Sequence, residues 1–245
     1  MKEIIMTLKF LILSPVLVFL FVSLALSETY YVSASRGNDE NAGTEEKPFK
    51  TIQNAADVMV AGDVCLIDDG IYRETITLKT SGTEEKPITF KAMDEAEVII
   101  SGTETLEDVN WVGYFDYDRT WSDQGEKTFQ SQGVREEGKN YSALYMDGEM
   151  ITKVNSPKEL DGPSKWYLDA DEDRVRILLW PPELESVSED MDEGYNTPLN
   201  YEIEAKLRDF AFVATDIDYI VLSGISFFAV NNKLDNCNNW SINTE

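Results

Sequence analysis

Histidine is absent from all 245 residues. That excludes a histidine-based catalytic triad, a histidine general base and histidine-ligated zinc or haem anywhere in this chain. Cysteine is nearly absent, with Cys65 and Cys237 the only two, so neither a disulfide framework nor a cysteine-rich metal site can be built. Cys65 sits in the apolar run Val64-Cys65-Leu66-Ile67, which favours a buried free thiol, although a Cys65–Cys237 bridge stays open for an exported chain. Basic residues are scarce: 21 Lys and Arg face 46 Asp and Glu, a net charge of −25. A surface this acidic repels phosphate backbones and anionic lipid, which excludes nucleic acid as a partner. It also disfavours steering of a polyanion unless Ca²⁺ or a local cluster of cations reverses the field.

Hydrophobic content is ordinary at 42%, enough for a packed core. The one long apolar run opens the chain. Lys2 and Lys9 precede about 17 apolar residues from Phe10 to Leu26, and the run ends in Ala25-Leu26-Ser27. This pattern describes a secretory signal peptide over residues 1–27. An uncleaved anchor is the competing reading, but the run is at the short limit for a bilayer and Pro15 interrupts it. Cleavage places the remainder outside the cytoplasm, secreted or periplasmic, with no membrane contact.

Thr29-Tyr30-Tyr31-Val32-Ser33 is β-branched and aromatic and reads as a strand. A turn-rich stretch follows from Ala34 to Pro48. Thr51 then caps a short helix with apolar positions Ile52, Ala55, Ala56 and Met59, ended by Gly62. Strands are expected at 63–67, at 74–78 after a turn at Asp68-Asp69-Gly70, and at 88–91 and 97–101. Cys65-Leu66-Ile67 and Ile88-Thr89-Phe90 start 23 positions apart, as do Thr75-Ile76-Thr77 and Val98-Ile99-Ile100. Two strand series with one offset predict a coil that returns to the same face once per turn, each turn stabilised by stacking on the next.

From Leu106 to about Lys206 this spacing is lost. Ala143 to Val154 reads as a hairpin around Asp147-Gly148, and Trp166 to Trp180 as another around 169–173. Apolar strand character returns at Tyr219 to Phe227, and an Asn-rich stretch follows to Glu245. The division expected is therefore a signal peptide (1–27), a cap and first coils (28–105), an inserted β-rich module (106–206) and resumed coils (207–245).

Tyr30-Tyr31-Val32-Ser33, Gly37-Asn38-Asp39, Gly43-Thr44, Pro48 to Gln53 and Ala55-Ala56 together resemble the N-terminal cap of the pectate-lyase-like right-handed β-helix superfamily. Ala61 to Val64, Gly70 to Glu74 and Pro87 to Ala92 extend the likeness through the first rungs, about Thr29 to Gly102 in all. Tyr219 to Phe227 is similar to a later rung. The resemblance implies an all-β, right-handed parallel β-helix with a short cap helix and an inserted module, incomplete at its C-terminal end because no closing cap follows Val230. It implies a parent protein that is an extracellular polysaccharide lyase or glycoside hydrolase, monomeric at full length, with its catalytic rungs beyond residue 245 and this chain alone inactive. The superfamily also contains non-catalytic surface and carbohydrate-binding proteins, which is the alternative.

Superfamily lyases use Ca²⁺-binding carboxylates with a Lys or Arg base, and glycoside hydrolases use paired carboxylates. No residue here matches such a motif, so catalytic and metal positions stay unassigned, no cofactor is evident, and Ca²⁺ is an expectation for the full-length parent only. Asp68-Asp69 and the acidic run Asp169 to Asp173 are read as turns between strands. Trp111, Tyr114 and Trp121 are the candidates for stacking on sugar rings, against the competing reading of core packing. Asn140-Tyr141-Ser142 and Asn239-Trp240-Ser241 fit the glycosylation sequon.

Overall fold

The computed structural model describes residues 27–106, 110–114, 127–132, 141–159, 165–169, 174–179 and 201–243. Residues 1–26, which carry nearly all of the expected signal peptide, lie outside them. So do most of the acidic run 169–173 and both Trp121 and Asn140.

The described chain is all-β apart from one short helix and a single 3₁₀ turn at Pro157–Glu159. β1 (Thr29–Val32) leads through a long turn to α1 (Ile52–Val58). Seven residues cannot hold a helix alone in water, and here acceptors from elsewhere fix the first turn. Thr51 accepts from the Asn54 amide at 3.2 Å. Asp39 accepts from the amides of Lys50 and Thr51, both at 2.9 Å. The Glu74 carboxylate takes the Ile52 amide at 2.8 Å and the Gln53 amide at 2.9 Å. Ile52, Ala55 and Ala56 are buried, so the helix closes the end of the core. It stops at Val58 with Met59 extended, earlier than Gly62. Met59 is buried from outside the helix, which is why it fits the helical spacing without belonging to it.

Then come β2 (Val64–Ile67), β3 (Gly70–Tyr72), β4 (Ile76–Thr77), β5 (Ile88–Ala92), β6 (Val98–Ser101) and β7 (Thr103–Thr105). The middle of the chain supplies β8 (Asn110–Tyr114), β9 (Lys127–Gln132), β10 (Leu144–Met146), β11 (Glu149–Val154), β12 (Lys165–Asp169), β13 (Arg174–Leu179) and β14 (Ile203–Lys206). The last are β15 (Phe210–Thr215), β16 (Ile220–Ser223), β17 (Ile225–Phe228), β18 (Asn231–Asp235) and β19 (Trp240–Asn243).

Three of the four sheets are parallel throughout. The first runs β1-β2-β5-β16-β19, the second β3-β6-β17 and the third β4-β15-β18. The chain visits them in the same order, β2 then β3 then β4, and again β15 to β19. In the first sheet Tyr30, Cys65, Phe90, Leu222 and Ile242 are successive register partners. Cys65, Phe90 and Leu222 from this row are buried in one cluster with Tyr72 and Ile100 of the second sheet and Ile76 and Phe212 of the third. Fully burying each such side chain stabilises by roughly 1.5–3 kcal/mol.

Two details of the predicted spacing are corrected. Cys65 pairs with Phe90 rather than Ile88, two residues further along; an even shift leaves the inward row unchanged. The second series does not exist as a pair: Ile76 and Thr77 join β15, while Val98 to Ile100 join Gly70 to Tyr72. Gly70, expected in a turn, begins β3.

The fourth sheet is mixed, in the order β7-β14-β10-β11-β12-β13-β9-β8, antiparallel except between β11 and β12. The hairpin around Asp147-Gly148 is present, with Met146 opposite Glu149 and positive φ at both turn residues, 49° and 79°, the geometry a two-residue turn between twisted strands requires. β12 and β13 form the second hairpin. A separate core of Leu106, Tyr141, Leu144, Ile151, Trp166, Ile203 and Ala205 lies on this sheet.

Candidate functional site

The corner between the first and second parallel sheets changes length from one pass to the next. Between β5 and β6 it takes Met93 to Glu97, and between β16 and β17 only Gly224. Gly224 has φ 67°, and an added Cβ would lie 3.1 Å from that of Ala92. The long turn overhangs the short one and leaves an open groove of about 490 Å³, lined by residues 91–98 and 223–226. Glu95 holds a left-handed φ of 64° at its crest. The turn is anchored from below, where Asp69 accepts from the Glu97 amide and Glu97 O accepts from the Gly70 amide, both at 3.0 Å.

The groove is polar. Lys91 stands 3.7 Å from Asp94, and Glu95, Glu97, Ser223 and Ser226 are among the lining residues. Donors and acceptors at this density suit a hydroxyl-rich ligand, and the volume falls in the range of small-molecule sites. Sequence reasoning did not single these residues out. The readable signal was the contrast between Ala92-Met93-Asp94-Glu95-Ala96 and Ser223-Gly224-Ile225 in otherwise equivalent strand pairs.

The candidates from sequence are placed apart. Trp111 and Tyr114 belong to β8, an edge strand of the mixed sheet, and Trp121 lies outside the described residues. Asp68 is occupied within the fold: it accepts from Arg36 at 2.9 Å and from Ser33 at 3.0 Å. The Arg36 guanidinium holds its carboxyl below the usual range. Asp69 serves the turn described above. Among the described residues no three Asp, Glu or Cys side chains are grouped to hold a metal ion. Cys65 and Cys237 are both free thiols, Cys65 buried, and burial pushes the Cys65 thiol up.

A family model for chondroitinase B matches residues 47–115. Pectate lyase PEL9 of Emericella nidulans is 37% identical over 81 residues, covering 32% of this chain and 20% of that protein. The structure of XylC in complex with xylose superposes with a TM-score of 0.60 at 22% identity, over 81% of this chain and 35% of that one. The fold is pectate-lyase-like. YwoF of Bacillus subtilis (strain 168) is 43% identical over 76 residues, 31% of this chain and 16% of that protein. The chain thus spans a fifth or less of the length of these two relatives. The matched residues 47–115 run from just before α1 through β2 to β6 and on into β7 and β8 of the mixed sheet. No helix among the described residues is long and apolar enough to cross a membrane.

Proposed function

We propose that this chain is the N-terminal portion of an extracellular right-handed parallel β-helix protein that degrades polysaccharide, as a lyase or a glycoside hydrolase, with its catalytic rungs beyond residue 245. The three parallel sheets are then the faces of one solenoid. Crossover connections between parallel strands are right-handed in nearly all proteins, which favours that hand here. The mixed sheet is the inserted module of 106–206, between coils at 28–105 and 207–245, and residues 1–27 are the export signal. The observation that carries the reading is the in-register stack of β2, β5 and β16, in a chain of which 81 residues are 37% identical to a pectate lyase.

In a lyase of this class a base removes the proton next to a uronate carboxylate, whose charge a cation offsets; in a hydrolase two carboxylates flank the bond. Ca²⁺ is proposed for the parent protein, on residues other than those described. The alternative, a non-catalytic carbohydrate-binding protein, is favoured by the groove at residues 91–98 and 223–226, which has hydrogen-bonding groups for a sugar.

The test is turnover on a panel of uronate and neutral polysaccharides with Ca²⁺, comparing this chain with the gene product read past Glu245. Unsaturated uronate ends identify a lyase, and new reducing ends without unsaturation a hydrolase. The longer product is expected to act and this chain alone to release nothing. Turnover by this chain would overturn the placement of the catalytic rungs, and inertness of both would support the binding reading.

A further inference from the structure

The two strands that connect the mixed sheet to the parallel sheets, β7 and β14, carry a closed polar network. Glu204 is buried, and Ser101 and Thr103 are wholly so. Arg73, in the link from β3 to β4, reaches Glu204 with Nη1 at 2.7 Å and the Thr103 hydroxyl at 3.1 Å. Thr103 Oγ1 donates to Glu204 at 2.7 Å. Its single proton is thereby committed, so the 2.7 Å contact with Ser101 is a bond that Ser101 donates. Ser101 Oγ in turn accepts from the Thr103 amide at 3.2 Å. Each hydroxyl proton and the charge of the carboxylate have a partner.

A second layer repeats the tie. Arg208 pairs with Glu104 and donates from Nη1 to Thr103 O at 3.3 Å. Gly102 O accepts the amides of Leu207 and Arg208 at 2.8 and 2.9 Å, while the Gly102 amide bonds Phe228 O at 3.0 Å. Tyr145 of β10 rests on Phe228 of β17 with ring centroids 4.8 Å apart.

We infer that Arg73, Ser101, Thr103 and Glu204 form a latch that couples the mixed sheet to the parallel sheets, so that the two cores open together. Without the latch the mixed sheet is joined through the narrow β7–β14 ribbon, the Arg208 and Gly102 bonds and the Tyr145–Phe228 contact; it has a core of its own, and a segment joined only at this edge opens independently. A buried ion pair is weak evidence for net stability. What this one supplies is coupling, because removing one partner strands a charge between two cores rather than within one.

The test is strand-by-strand amide hydrogen exchange on the full chain, with Phe90→Ala as a perturbation confined to the parallel-sheet core. That substitution is expected to raise exchange in β5 and β16 about hundredfold or more. With the latch intact, exchange in β10 and β14 rises with it, to within about threefold. In the Thr103→Val background, and in Arg73→Met/Glu204→Met where both charges leave together, exchange in β10 and β14 no longer responds to Phe90→Ala. Thr103→Val keeps the shape of the side chain and serves alone where the double variant does not fold. Equal responses in latched and unlatched backgrounds would overturn the proposal. So would an unresponsive mixed sheet with the latch intact.

Discussion

Cys65 lies directly opposite Phe90 across β2 and β5, and both side chains are fully buried in the same inward row. Phe90 also meets Phe212 of the third sheet edge-on, with centroids 5.6 Å apart, so one ring joins two of the three parallel sheets. Phe90→Ala is expected to cost about 3–5 kcal/mol through lost burial and a cavity that rigid strands cannot collapse. Urea unfolding monitored by tyrosine and tryptophan fluorescence measures it. A loss under about 1 kcal/mol would mean that the row is not close-packed.

The same pair sets the reactivity of the thiols. Cys65 has no exposure and a thiol held up by burial, while Cys237 is partly exposed and its Sγ lies 3.3 Å from Asp235 O. Thiolate and access together govern labelling. Native protein is expected to take up one equivalent of a maleimide, at Cys237, and the second only on unfolding. Rapid native labelling of Cys65, read by peptide mass, would show that the first sheet opens locally.

How much of this was legible follows from which residues carried the signal. The cap helix was readable because Thr51, Ile52, Ala55 and Ala56 obey local rules of capping and periodicity. The return of the first strand column was readable because Cys65, Ile67, Phe90 and Ala92 alternate with outward residues. β3 was not, because Gly70-Ile71-Tyr72 is only three residues long and follows Asp68-Asp69, a strong turn signal. The true partner of β6 was thereby hidden, and Thr75 to Thr77 stood in for it at a coincidental spacing. The groove arises from two corners of unequal length at distant positions, a relation that appears only once register is known. The latch was equally invisible, since Arg73 and Glu204 lie 131 positions apart.

Two carboxylates titrate with opposite consequences for stability. Arg36 lowers the Asp68 carboxyl below its ordinary 3.8, so its contribution is present above that value and lost as pH falls through the depressed one. Burial raises Glu74 above its ordinary 4.5, against the pull of the Ile52 and Gln53 amides. Its contribution is therefore full below 4.5 and lost as pH rises through the raised value. Relative to the parent chain, Asp68→Asn should gain stability as pH falls below 3.8, and Glu74→Gln as pH rises from 4.5. Urea midpoints across the acid range read both slopes. Salt should weaken the Asp68 effect because Arg36 is largely exposed, and matching slopes for the two variants would contradict the assignment.

Gly102 and Gly148 are glycines for different reasons, and substitution separates them. A Cβ on Gly102 would come within 2.5 Å of Arg208 O and 2.8 Å of Ala229 O, both backbone atoms, in a conformation any residue can adopt. Gly148 has φ 79° and nothing within 4 Å of an added Cβ, so only the left-handed backbone opposes a side chain. Gly148→Ala should cost about 1–2 kcal/mol, and Gly148→Asn much less, because asparagine tolerates that region. Gly102→Ala should cost about 1–3 kcal/mol as overpacking where β6 meets β7, and Gly102→Asn more still. The order of Ala and Asn thus inverts between the two sites in urea unfolding. The same order at both would mean that the strand leaving β6 has room to move, and that the close approach of Gly102 to Arg208 does not fix the root of the mixed sheet.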